Sequence, residues 1–81
     1  MEKTLEIDPV LPEGEDTVHL LIYKATATHG TEVYYDMIVP VSEFPMTLTV
    51  EGTGMAEYLI YLKDVGGNNI YQGSKPIDFD S

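Results

Sequence analysis

The chain has 81 residues, 43% hydrophobic and 22% charged, with 14 acidic residues, four lysines (Lys3, Lys24, Lys63, Lys75), no arginine, no tryptophan and no cysteine. That length holds one core, so a single domain over residues 1–81 is expected, and the composition is too apolar for a disordered segment. The missing cysteines exclude disulfides and thiolate zinc sites, while a net charge of −10 argues against direct nucleic-acid binding and against adsorption to anionic membranes.

Period-two alternation dominates the chain. Leu5 and Ile7 alternate with Glu6 and Asp8, which gives a short first strand ending at Pro9. Residues 9–16 hold two prolines, a glycine and three acids and read as a loop. Residues 17–28 are rich in β-branched and aromatic side chains and form the second strand. His29 and Gly30 then make a hairpin turn, with Gly30 free to take positive φ.

The third strand runs over residues 32–41. Its odd positions, Val33, Tyr35, Met37, Val39 and Val41, are all apolar and are expected to face inward. Residues 42–45 connect to a strand in which Met46, Leu48 and Val50 alternate with Thr47, Thr49 and Glu51. After a turn at residues 51–54, Ala56, Tyr58, Ile60 and Leu62 alternate with Glu57, Leu59, Tyr61 and Lys63. Residues 64–69 make a Gly/Asn-rich hairpin loop. The last strand begins at Ile70, is expected to break over residues 73–76, and ends with Ile77 and Phe79 inward; Pro76 marks an edge strand or a bulge.

No window has the spacing of an amphipathic helix. Six or seven short strands predict an all-β fold, an immunoglobulin-like antiparallel β-sandwich. The run Tyr58-Leu59-Ile60-Tyr61-Leu62-Lys63-Asp64-Val65-Gly66-Gly67, followed by Gly73-Ser74-Lys75-Pro76-Ile77-Asp78-Phe79, resembles the end of a fibronectin type III domain. The likeness covers about the last third of the chain. It implies a tyrosine corner at Tyr58, whose hydroxyl would bond upstream backbone. The first half departs from that family, since the tryptophan expected on an early strand is absent and Tyr23 or Tyr35 would fill its place.

Few residues suggest chemistry. Ser42, Ser74 and Ser81 lie in no nucleophile elbow, and His19 and His29 are the only imidazoles. The acidic stretches at residues 13–16 and 64–69 follow no calcium-loop pattern, and the glycines form no phosphate cradle. Asp78 and Asp80 share a strand face without a cleft. A non-enzyme without cofactor or metal is expected.

The tyrosines carry the functional expectation. By phase, Tyr34, Ile38, Leu59 and Tyr61 point away from the core, rimmed by Glu32, Asp36 and Glu57. With the third and penultimate strands adjacent in one sheet, these four would form one patch. Apolar patches with polar rims mark interfaces, whereas cross-strand pairs alone only stabilise the sheet. The expected function is a protein-interaction or structural module that binds a protein partner or itself, as small phage or prophage virion proteins do. The alternative is an acidic mimic of nucleic acid that occupies a basic groove. The N-terminus shows no signal-peptide pattern and no apolar run spans a bilayer, which gives a cytoplasmic or virion expectation.

Overall fold

A computed structural model describes residues 1–81. Its strands are β1 (Glu2–Ile7), β2 (Thr17–Thr26), β3 (Gly30–Pro40), β4 (Met46–Glu51), β5 (Met55–Lys63) and β6 (Asn69–Asp78), with one 3-10 turn, Val41–Glu43, between β3 and β4. The fold is all-β. All pairings are antiparallel, in a two-stranded sheet β1-β4 and a four-stranded sheet β3-β2-β5-β6. No helix is long and apolar enough to cross a membrane.

Alternation decides what each strand buries. Leu5 and Ile7 of β1 and Val50 of β4 turn toward Val18, Leu20 and Ile22 of β2 and Ala56, Tyr58, Ile60 and Leu62 of β5. Val39 of β3 and Phe79, just beyond β6, complete one core of 12 buried residues. Leu11, Val41 and Phe44, from the segments linking the sheets, pack on its margins. At ~25 cal/mol per Å² of buried apolar surface, this core outweighs any single polar contact described below.

The strand ends differ in detail from the expectations. β2 stops at Thr26, and three residues rather than two lead into β3. His29 N donates to Thr26 Oγ1 at 3.1 Å, and Gly30 closes the loop with φ +69°, where a Cβ would be strained. β6 is continuous through residues 73–76, because its register irregularity falls opposite Leu62 and Lys63 and leaves Ile70 as the extra residue. Pro76 lies opposite Glu57 on β6, which is an edge strand.

The largest departure is in β3. Ile22 pairs with Tyr35 but Tyr23 pairs with Val33, so Tyr34 is an extra residue at a bulge. The bulge reverses the phase of everything before it. Val33 therefore lies beside Tyr23 on the outer face and is 58% exposed, contrary to the inward expectation. Met37 keeps the inner phase, opposite buried Leu20, yet is 55% exposed because β3 is the outermost strand of its sheet.

Candidate interaction surface

The outer face of the four-stranded sheet is built by the residues that alternate with the core. On β2 these are His19, Leu21 and Tyr23; on β5 they are Leu59, Tyr61 and Lys63. Leu21 pairs with Tyr61 and Tyr23 with Leu59, so four large side chains form a block across the two central strands. The Tyr23 and Tyr61 rings meet edge to face, with centroids 5.9 Å apart and planes at 79°. Each of the four is half-buried by its neighbours.

Ile38 extends this block onto β3, opposite His19, and is 71% exposed. Beside it, His19 Nε2 and Asp36 Oδ1 form a close hydrogen-bonded pair across β2 and β3. Gln72, Ser74 and Pro76 of β6 border the other side, opposite Tyr61, Leu59 and Glu57. Ile38, His19, Lys63, Asp64 and Val65 also line a shallow depression of about 270 Å³ at one end of the face.

Of the four residues expected to share a patch, Ile38, Leu59 and Tyr61 lie on this face and Tyr34 does not. At the bulge Tyr34 turns to the other side of the sheet. Its hydroxyl donates to Thr49 O of β4 at 3.3 Å, and its ring meets the Tyr58 ring edge to face at 5.3 Å. β3 and β5 are also not neighbours, because β2 lies between them. Leu21 and Tyr23 supply the missing area, and the inward run Val18, Leu20, Ile22 is the signal that assigns them outward.

Tyr58 is fully buried, but it makes no tyrosine corner. Its hydroxyl has no hydrogen-bond partner, and the residue sits within β5 rather than at a strand-entry corner. Burial pushes that hydroxyl above the ordinary phenol range, and the neighbouring Tyr34 adds to the effect.

The lysines explain the electrostatics. Lys24 has the inward phase of β2; its ammonium reaches Glu51 O at 3.4 Å and lies 5.6 Å from the Phe79 ring centroid. Lys3 donates to Ser81 O at 2.6 Å, and Lys75 donates to Glu6 O. Three of the four lysines thus bond main-chain carbonyls where the two sheets meet. No lysine forms a salt bridge with a carboxylate, and apart from the His19–Asp36 contact the carboxylates have no basic side chain beside them.

Asp64 is the one carboxylate with a dense local shell. It accepts from Asn68 N and Gly66 N, both at 2.9 Å, and from the Asn68 side chain. The Asn68 backbone N–H, then its side chain, hold the Asp64 carboxyl below the usual range, and Gly67 at φ +85° completes the turn. These bonds close the β5–β6 loop. No group of three or more His, Asp or Glu is arranged to hold a metal ion. No protein-family model, curated protein or solved structure matches the chain.

Proposed function

We propose that the protein is a non-catalytic interaction or structural module that binds a protein partner, or copies of itself, through the outer face of β3-β2-β5-β6. The observation that carries this reading is the Leu21, Tyr23, Leu59, Tyr61 block with exposed Ile38 beside it. An apolar surface rimmed by His19, Asp36, Glu57, Gln72 and Ser74 has the anatomy of an interface. Tyrosine suits it because the ring offers rigid area and the hydroxyl a polar tip.

The finer fold reading is an immunoglobulin-like sandwich of the fibronectin type III kind. Strand order supports it: β1 beside β4 and the run β3-β2-β5-β6 correspond to strand B beside E and to C′-C-F-G. Fold leaves the partner open, so the interaction reading rests on the surface itself.

The test compares the natural chain with a Leu59→Ser, Tyr61→Ser variant, immobilised side by side. Both positions lie outside the core, so the fold should survive and circular dichroism checks that it does. Partners retained by the natural chain and lost by the variant support the face; equal retention rules it out.

A second reading has its own observation. With 14 acids against four lysines, three of them engaged with backbone carbonyls, the surface is strongly anionic. That suits an acidic protein occupying a basic, nucleic-acid-binding groove. Binding of this kind should compete with DNA and weaken steeply between 50 and 500 mM salt, on the order of the loss seen for multi-contact phosphate binding. Association indifferent to both would exclude it.

A further inference from the structure

We propose that the free edge of β3 accepts an extended, basic segment of another protein as an added strand, centred on residues 35–39. This rests on the interaction-module reading and names where one partner docks and its chemistry. Sheet edges present unpaired main-chain N–H and C=O groups that recruit further strands unless something blocks them.

Three of the four edges are blocked. On β6, Pro76 has no N–H to offer and Lys75 points into the seam between the sheets. On β1, the Lys75 ammonium occupies Glu6 O. On β4, the Tyr34 hydroxyl occupies Thr49 O and Lys24 reaches Glu51 O.

Over residues 35–39 the β3 edge lacks these devices. No side chain hydrogen-bonds any main-chain group of β3. The Tyr34 bulge lies toward the hairpin end and Pro40 at the other, leaving a regular stretch between them. Within it Met37 and Ile38 are 55% and 71% exposed on opposite faces of the sheet. An added strand would cover both.

Charge chooses the occupant. β3 itself carries Glu32 and Asp36 and no lysine or arginine, with Lys24 opposite Glu32 and Lys63 set back beyond His19. A second copy would set one net charge of −10 against another. A segment with lysine or arginine between apolar residues instead complements the acids and covers Met37 and Ile38.

The probe is a capped ten-residue peptide of alternating lysine and valine. Its controls are a glutamate–valine peptide and the lysine–valine peptide N-methylated at alternate residues, which keeps the charge but removes one row of donors. Affinity is read by fluorescence anisotropy and location by amide hydrogen exchange. The lysine–valine peptide should bind, slow exchange in residues 35–39, and lose about tenfold or more affinity to Met37→Lys and to Ile38→Lys. Both positions are exposed, so the variants retain the core.

Equal binding of the N-methylated peptide would overturn the proposal, because charge alone would then suffice. Exchange protection in β3 that rises with protein concentration without peptide would overturn it in favour of a second copy. Binding lost in Leu59→Ser, Tyr61→Ser but kept in Ile38→Lys would overturn the edge while leaving the interaction-module reading standing. No binding at all would overturn the edge, and the immobilised-chain comparison would then decide the outer face separately.

Discussion

Tyr58→Phe should stabilise the protein. The Tyr58 ring is fully buried, packs edge to face on Tyr34 at 5.3 Å and lies 6.0 Å from the Lys24 ammonium, while its hydroxyl meets no partner. An unbonded hydroxyl taken out of water costs roughly 1–3 kcal/mol, and phenylalanine keeps every ring contact without that penalty. Allowing for the small void left by the oxygen, the variant gains about 1–2 kcal/mol. In a chain of this size that is a rise in Tm of about 5–10 °C. Urea unfolding at pH 7 should show a higher midpoint with an unchanged slope.

A pH series adds a signed check. The folded state holds the Tyr58 proton above the ordinary phenol value, so the unfolded state loses its proton first. Folded molecules then bind more protons, and stability falls as pH rises past about 10, the unfolded tyrosine value. Tyr58→Phe lacks that loss, so its advantage over the natural chain should widen above pH 10. A variant that is less stable at pH 7 would mean instead that the hydroxyl is bonded, as a tyrosine corner requires.

Four further outcomes follow from the side-chain contacts and the charge. Tyr34→Phe removes the bond to Thr49 O and should cost about 0.5–1.5 kcal/mol in urea unfolding, despite lying on an exposed edge strand. Phe79→Ala empties a fully buried site that closes against Gly52, where a Cβ would come within 3.1 Å of the ring, and should cost about 3–5 kcal/mol. For a domain of this size that is a fall in thermal midpoint of about 12–40 °C. Sodium chloride at pH 7 should raise the urea midpoint by screening unpaired carboxylates, whereas an unchanged midpoint would mean that repulsion is negligible. Asp64 acts in the opposite sense: its lowered pKa gives stability present above the ordinary carboxylate range and lost as pH falls through its own value, so Asp64→Asn should flatten the acid limb.

The placement of the lysines links stability to surface charge. Lys3 and Lys75 tie the β1 and β6 sides of the two sheets, and Lys24 ties β2 to the end of β4. Each such bond helps hold a two-stranded sheet over a four-stranded one, and each draws a cation toward the seam. Lys63, opposite His19 and Asn69, is left on the outer face. One disposition therefore gives both a seam held by charge-assisted bonds and an anionic exterior.

Much of the fold was legible in the residues. Leu5 with Ile7, Met46 with Leu48 and Val50, and Ala56 with Tyr58, Ile60 and Leu62 all keep their inward phase, because a half-buried strand writes its two faces directly into alternate positions. The turn at Gly30 was legible too, since positive φ selects glycine. The outer residues of β5 could be assigned by the same alternation, and Leu59 and Tyr61 lie where it puts them.

What tertiary structure alone decided was which surfaces come together. Val33, Tyr35, Met37 and Val39 scan as one uninterrupted strand, and only pairing with β2 reveals the extra residue at Tyr34 that turns that ring toward β4. Strand order likewise belongs to no local segment: β2 between β3 and β5 keeps Tyr34 and Tyr61 apart and brings Leu21 and Tyr23 into the outer block. The inward turn of Lys24 depends on Glu51 and Phe79, distant in sequence. Alternation records which side of its own strand a residue occupies, while neighbours across a sheet and across the core are set by how the strands pack.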